Sequence, residues 1–201
     1  MGRLALSVAL ACAACGRVHY QDVPDARGDA LVAPDGPPDV AIDARDPIVA
    51  RVEAETNPPV ASFTVAADTA ASGGMYVLDG NSMGMTGAGQ VAIDITIPAT
   101  AAGPFYLWGR VLAPDTSRDS FFLSVDGGTN LNYDTGRCVH STQWQWTVVG
   151  NGALLNCPTV PPPIQYMLAP GAHTIVLKSR EGQSAIDEII VTDDPAFVPS
   201  G

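Results

Sequence analysis

Short apolar runs fill most of the chain after residue 51, and glycine, proline, asparagine and aspartate separate them. In several runs apolar and polar residues alternate, which is the period of a strand with one buried face, and no ten-residue window has a helical face. Nine strands are predicted, near VEAE, GMYVLD, QVAIDITIP, FYLWGRVLA, SFFLSVD, WQWTVV, IQYML, HTIVLKS and AIDEIIVT. The pattern predicts an all-β fold, a two-sheet antiparallel jelly-roll sandwich closed where the first and last strands meet.

The first fifteen residues, MGRLALSVALACAAC, have the layout of a secretory leader. Their apolar stretch is too short to cross a bilayer. Because a cysteine closes it, the leader resembles that of a bacterial lipoprotein, and Cys15 is the expected lipidation site. The alternatives are lipidation of Cys12 and a plain cleaved export signal. We expect an exported protein that is lipid-anchored in the bacterial cell envelope and faces outward, or is secreted if the anchor is not used.

Residues 16–51 carry seven aspartates, four arginines and five prolines without a sustained apolar period. This composition predicts a solvated, extended tether. A calcium-binding repeat is the less favoured interpretation, because the aspartate spacing is irregular. The sandwich domain is predicted to occupy residues 52–201.

Acidic residues outnumber basic ones by 21 to 10, which gives a formal net charge of −11 at pH 7. Such a surface repels a polyanion on average, so nucleic acid is not expected as a partner. A length of 201 residues suits one domain of ordinary size beside a leader and a tether. We expect a monomer whose contact with a membrane is limited to the lipid anchor.

The two remaining cysteines, Cys138 and Cys157, are predicted to form a disulfide, because exported chains can keep such bonds. In the chain-entropy model, closing the intervening loop would contribute about 3 kcal/mol. Two free buried thiols are the alternative. A metal site is poorly supported, because His140 has no second ligand at zinc-finger spacing.

Three acidic residues stand near the two ends of the predicted domain. Glu53 and Glu55 are two positions apart, so on a strand they would point to the same side, and Asp187 interrupts an otherwise apolar strand. Three carboxylates brought together would repel one another unless a hard divalent cation lies between them, and calcium fits that need outside the cell. The alternative is that one or two of them merely face water.

A catalytic centre is not supported by the sequence. GNSMG, Gly80 to Gly84, matches the pattern of a nucleophile elbow, but a glycine-rich loop follows it where such a hydrolase needs a helix. His140 and His173 are candidate general bases, yet neither has an acid beside it in a known motif. The sequence therefore predicts a protein that is not an enzyme.

An ordered set of segments resembles carbohydrate-binding modules of families six and thirty-five, which have a galactose-binding-like jelly roll. The segments are VEAE, ASGGMYV, YLWGRV, DSFFLSVDGG, WQW, PGAHTIVL and REGQSAIDEIIVTDD, and they span nearly all of residues 52–199. The resemblance implies a non-catalytic module that binds a polysaccharide or glycan. It also implies that Glu53, Glu55 and Asp187 hold a structural calcium ion.

The same resemblance implies that Trp144 stacks on a sugar ring at the rim of the sandwich. On a regular strand Trp144 and Trp146 emerge on one face, and we assign Trp144 to the rim and Trp146 to the core. Ala185 stands where family six often has a ligand-binding asparagine, which favours the alternative of a structural or protein-interaction sandwich without a sugar site. Further carbohydrate-binding candidates are Tyr76, Asp79 and Tyr133, the last with Asn130, Asn132 and Asp134 in a loop that could form a new site.

Overall fold

A computed structural model of the protein describes residues 46–101, 103–136, 139–150 and 162–200. Within these residues the chain forms ten strands and two single-turn 3-10 helices, so the predicted all-β class is confirmed. The strands are β1 (Ile48–Glu53), β2 (Phe63–Ala67), β3 (Met75–Asp79), β4 (Gln90–Ile97), β5 (Tyr106–Ala113), β6 (Ser120–Val125), β7 (Leu131–Asp134), β8 (Ser141–Val148), β9 (Gly171–Ser179) and β10 (Ala185–Thr192). The 3-10 helices are Ala54–Thr56 and Ser72–Gly74.

The strands form two antiparallel sheets. The six-stranded sheet has the order β2-β3-β10-β5-β8, and β1 also pairs with β10. The four-stranded sheet has the order β4-β9-β6-β7. Val52 of β1 lies opposite Ile189 of β10, so the first and last strands meet as predicted.

Side chains from both sheets form one apolar core. Every second residue of β4, from Val91 to Ile97, is buried, as the alternating sequence pattern requires. The six-stranded sheet contributes residues such as Leu107 and Ile189, and the four-stranded sheet contributes residues such as Leu123 and Ile175. The opposite, outer face of the six-stranded sheet carries charged and aromatic side chains, among them Arg110 and Trp146.

Two strands were not predicted from the sequence, and one predicted strand does not form. β2 and β7 are edge strands. In β2 only Phe63 is fully buried, so this strand has no alternation of buried and exposed residues for a sequence pattern to show. The IQYML segment is not a strand, and its Tyr166 exchanges two backbone hydrogen bonds of 2.9 Å with Phe105. GNSMG lies in the loop between β3 and β4, and the described residues between this motif and β4 form no helix.

The first strand begins earlier than the sequence suggested. Ile48 to Arg51, which were assigned to the tether, belong to β1 and pair with the end of β10. The leader, residues 16–45 of the tether, Cys138 and Cys157 lie outside the described residues, so lipidation and the disulfide stay predictions. In the part of the chain that the structure describes, no helix has the length and apolar character needed to cross a membrane.

Asp119, just before β6, joins three loops at one end of the sandwich. Its Oδ2 lies 2.8 Å from Nε2 of His140, its backbone N–H donates to Oε2 of Glu181, and its carbonyl accepts from the N–H of Thr135. Burial raises the pKa of Asp119 to about 6, and the contact with Glu181 and the charge of Asp134 act in the same direction. A carboxyl whose pKa is raised on folding binds its proton more tightly in the native state.

We expect Asp119 to make the domain less stable as the pH rises from about 4 to 6. Its contribution is fully present below the unfolded pKa of 3.8 and is lost as the pH passes through the folded value of about 6. Asp119→Asn removes this titration, so the free energy of unfolding of the variant should fall less steeply over that interval. Urea unfolding at a series of pH values measures both slopes, and equal slopes would contradict the assignment.

Candidate functional site

Three carboxylates from distant parts of the chain meet where β1 and β10 close the six-stranded sheet. Glu53 ends β1, Glu55 lies in the 3-10 turn that follows, and Asp187 belongs to β10. One carboxylate oxygen from each lies within 4.8 Å of the others. The structure thus brings together the three residues that the sequence singled out. The reason given for Glu55 was wrong, because a 3-10 turn rather than strand alternation places it beside Glu53.

Each member of this acidic cluster has one oxygen that lacks a donor. Oδ2 of Asp187, a fully buried residue, accepts the N–H of Ser72 at 3.0 Å, and Oε1 of Glu53 accepts the Ser72 hydroxyl at 2.6 Å. Oδ1 of Asp187, Oε2 of Glu53 and Oε2 of Glu55 are buried and have no hydrogen-bond partner among the described residues. Leaving buried carboxylate oxygens without a partner costs free energy, and a cation would supply the missing interaction.

The charges of the cluster do not balance. Burial raises the pKa values of Glu55 and Asp187, and the neighbouring carboxylates add to both shifts by repulsion. The guanidinium of Arg110 contacts Asp187, so among the described residues three carboxylates face one guanidinium, which leaves two negative charges uncompensated. A set of oxygen ligands with this negative charge fits a hard divalent cation.

A row of four paired residues crosses the outer face of the six-stranded sheet. Glu53 lies opposite Glu188, Glu188 opposite Arg110, and Arg110 opposite Trp146, on β1, β10, β5 and β8 respectively. The pairing of β10 with β5 shifts register between Ile186 and Glu188, a bulge that lets Asp187 reach Arg110 as well. Arg110 therefore pairs with Asp187, although Glu188 is the residue of β10 directly opposite it.

Trp144 is built into the wall of this face. Its indole N–H donates to Oδ2 of Asp68 at 3.0 Å, and the Tyr76 ring meets it edge-on with centroids 5.2 Å apart. The Arg110 guanidinium lies 5.7 Å from the centroid of the Trp144 ring, and its Nη2 donates to the carbonyl of Ala70 at 3.1 Å. Trp144 and Arg110 thereby hold the β2–β3 loop over the sheet. Trp144 and Tyr76, two of the predicted carbohydrate-binding residues, are thus in contact.

Trp146 does not lie in the core, and the assignment made from the sequence was wrong. Trp146 lies opposite Arg110 of β5, and its indole is half-buried on the outer face of the sheet. The centroid of the indole is 5.6 Å from Cζ of Arg51. On this face Trp146 lines a pocket of about 240 Å³, which we call the outer-face pocket. The other lining residues are Arg51, Ala70, Ala71, Ser72, Arg110, Glu188 and Ser200.

Two predicted binding residues are fully buried, and the roles proposed for them were wrong. Oδ1 of Asp79 accepts hydrogen bonds from Ser62 and from the backbone and side chain of Asn81. Tyr133 donates its hydroxyl to the Thr147 carbonyl at 2.8 Å, and Gly109 gives its ring room, since a Cβ there would lie 2.5 Å from that hydroxyl. Neither side chain can reach a ligand in the folded protein.

Two ion pairs shape the outer-face pocket. Arg51 pairs with Glu188, whose carboxylate is almost completely buried, and Arg110 pairs with Asp187. The Arg51 side chain is half exposed, whereas that of Arg110 is mostly covered. The sequence signal for Glu188 was its position next to Asp187 in an apolar strand, and Arg51 was missed because it was placed in the tether.

No protein-family model matches the sequence, and a comparison with curated proteins found no match. Solved structures with a similar fold include the GH26-CBM35 β-(1,4)-mannanase of Podospora anserina, at 20% identity over 77% of this chain and 29% of that chain, with a TM-score of 0.53. Another is the exo-β-1,3-galactanase of Phanerochaete chrysosporium with galactose, at 21% identity over 71% of this chain and 29% of that chain, with a TM-score of 0.50.

A family 35 carbohydrate-binding module from Clostridium thermocellum is matched at 18% identity over 72% of this chain and 98% of that chain, with a TM-score of 0.49. The chain spans 29% of the length of the mannanase and of the galactanase. At these identities the likeness is one of fold; the two antiparallel sheets and the similarity to the mannanase and galactanase structures confirm the predicted jelly-roll sandwich.

Proposed function

We propose that the domain is a non-catalytic module that binds a polysaccharide or glycan in the outer-face pocket. The observation that carries this proposal is the placement of Trp146 with Arg51, Arg110 and Glu188 in one cavity. A pyranose has an apolar C–H face that packs on an aromatic ring, and hydroxyl groups that donate to carboxylates and accept from guanidinium groups. The pocket offers both kinds of contact within reach of one sugar.

The size of the pocket favours a single sugar unit of a longer chain. Its volume of about 240 Å³ is below the range of about 300–1,000 Å³ typical of pockets for drug-sized ligands. Trp144 contributes indirectly in this scheme, because its bond to Asp68 holds the loop that supplies Ala70 and Ser72 to the pocket wall. This differs from the role implied by resemblance, in which Trp144 itself stacks on the sugar.

The acidic cluster is proposed to hold calcium. The three unpartnered oxygens and the uncompensated charge fit a cation with oxygen ligands, and calcium accepts six to eight oxygens in flexible geometry, whereas magnesium demands a near-ideal octahedron. Glu53, Glu55 and Asp187 would supply carboxylates. The ion would join the end of β1 to β10 and, through Ser72, to the β2–β3 loop, so its role would be structural.

Affinity electrophoresis tests the carbohydrate proposal. The domain is run through gels that contain soluble galactomannan, β-1,3-galactan, xylan or β-glucan, the first two chosen because the mannanase and the galactanase share its fold. Retardation that free oligosaccharide reverses is the expected result. A folded domain that no polysaccharide retards would support the alternative, a structural or protein-interaction sandwich. That alternative is favoured by Ala185 and by the burial of Asp79.

Export with a lipid anchor at Cys15 is also proposed, on the basis of the leader alone. The module would then concentrate a cell on a carbohydrate surface. In bacteria that express the full chain, the protein should incorporate labelled fatty acid and sediment with membranes, and Cys15→Ala should abolish both. Unchanged labelling in that variant, with loss in Cys12→Ala, would move the anchor to Cys12; no labelling at all would leave a cleaved export signal.

A further inference from the structure

Two residues of the outer-face pocket are bonded to the acidic cluster. Ser72 lines the pocket, and it donates its N–H to Asp187 and its hydroxyl to Glu53. Arg110 lines the pocket, and its Nη1 donates to the same oxygen of Asp187 that accepts from Ser72. Two walls of the pocket are thus fixed directly to two members of the cluster.

Asp187 divides its two oxygens between the cluster and the pocket. Oδ2 takes both donors from the pocket wall, whereas Oδ1 is buried, has no hydrogen-bond partner among the described residues and is the oxygen we assign to a cation. A cation bound at the cluster would hold this carboxylate, and with it the positions of Ser72 and Arg110. Without a cation, the carboxylates of the cluster repel one another, and Arg110 is the guanidinium that contacts them. This repulsion acts on Asp187, which holds Ser72 and Arg110 in the pocket wall.

We propose that Arg110 and Ser72 link cation binding to carbohydrate binding, so that each ligand strengthens the binding of the other. The inference rests on the proposed function of the pocket. A cation that orders the wall removes an ordering cost that the sugar would otherwise bear, which gives positive coupling. By thermodynamic linkage, the factor by which calcium tightens sugar binding must equal the factor by which sugar tightens calcium binding.

Arg51 provides a matched control on the same face. It also lines the pocket, pairs with a buried carboxylate and lies over a tryptophan, but its partners are Glu188 and Trp146 rather than Asp187 and Trp144. Glu188 is not a member of the cluster. Arg51→Gln should therefore weaken sugar binding while changing the calcium dependence of that binding less than Arg110→Gln does, because it acts on the cluster through the charge of Glu188 and not through a contact with Asp187.

The test measures the dissociation constant for galactomannan, or for the polysaccharide of the panel that retards the domain most, in excess calcium chloride and in chelator. Titration calorimetry of calcium with and without a saturating oligosaccharide of that polysaccharide gives the reciprocal factor. For the wild type we expect calcium to tighten sugar binding about 5- to 10-fold, at the lower end of typical allosteric coupling, and the reciprocal factor to be the same. In Arg110→Gln the factor should fall towards one, and Arg110→Lys should restore part of it.

The possible failures are distinguishable. Sugar affinity that does not change with calcium, in a protein that calorimetry shows to bind calcium, overturns the linkage and leaves the proposed function intact. If no polysaccharide retards the domain under either condition, the proposed function falls and takes the linkage with it. If Arg110→Gln does not fold, Ser72→Ala tests the same link, because it removes only the hydroxyl contact with Glu53; a coupling factor unchanged from the wild type in that variant overturns the inference.

Discussion

Trp146→Ala is expected to weaken polysaccharide binding by about 2 kcal/mol, roughly 30-fold in dissociation constant, the range of an aromatic residue at a binding hot spot. The indole lines the outer-face pocket beside the Arg51 guanidinium, so its removal takes away the apolar wall on which a sugar would pack. The half-buried indole is not a core side chain, and the melting temperature should change little. Affinity electrophoresis gives the loss of binding, and a thermal melt checks the fold.

Phe122→Ala is the matched control for Trp146→Ala. Phe122 is also a half-buried aromatic residue on a strand, but it belongs to β6 of the four-stranded sheet. Its replacement should leave binding unchanged. Trp144→Ala should have an intermediate effect, because it loosens the β2–β3 loop rather than removing the wall. Full loss in Trp144→Ala with normal binding in Trp146→Ala would instead support direct stacking of the sugar on Trp144.

Chelation of calcium is expected to lower the melting temperature, and added calcium should restore it. A cation that binds only the native state stabilises it by about 2.7 kcal/mol at one hundred times its dissociation constant. For a domain of this size that corresponds to about 5–10 °C. Differential scanning calorimetry in chelator, in calcium and in magnesium measures the effect. A melting temperature that is the same in chelator and in calcium would remove the cation from the cluster.

Glu55→Gln is expected to affect the stability of the domain differently in chelator and in calcium. Oε2 of Glu55 has no hydrogen-bond partner among the described residues; burial raises the pKa of Glu55, and the charges of Glu53, Asp187 and Glu188 add to the shift. Removing its charge should therefore leave the domain in chelator as stable as the wild type or more stable, while the gain on adding calcium shrinks. Asp119→Asn, a change at a buried carboxylate outside the cluster, should keep the full calcium response. Loss of stability in Glu55→Gln under both conditions would indicate a purely structural carboxylate.

The acidic cluster was predictable because few ionised residues interrupt apolar strands unless something compensates them. Asp187 gave that signal in β10, and the closure of the sandwich brought it to Glu53. The geometry of Glu55 was not predictable from alternation, because a strand can end at any residue and a 3-10 turn has a different period. The pairing of Arg110 with Asp187 also depends on the β5–β10 register, which no local pattern contains.

The roles of the two tryptophans show the same limit. Alternation correctly put Trp144 and Trp146 on one face, but it did not tell which face was the core. On β8 the inward positions hold polar residues: Thr147 accepts from Tyr133, and Gln145 donates to backbone carbonyls of Thr135 and Val139. An apolar residue is normally read as the inward one, and here the indoles lie outside. The β2–β3 loop lies over them, and the hydrophobic pattern of the sequence does not indicate this placement.

The pairing of β1 with β10 also bears on the order of events during folding. Glu53 and Asp187 stand near opposite ends of the domain sequence, so a growing chain has no complete cation site until its last strand has been synthesised and docked. Contacts between such distant segments carry a high cost in loop closure and tend to form late. An ion held there would act mainly as a latch on the finished domain, slowing its unfolding while leaving its rate of folding almost unaltered.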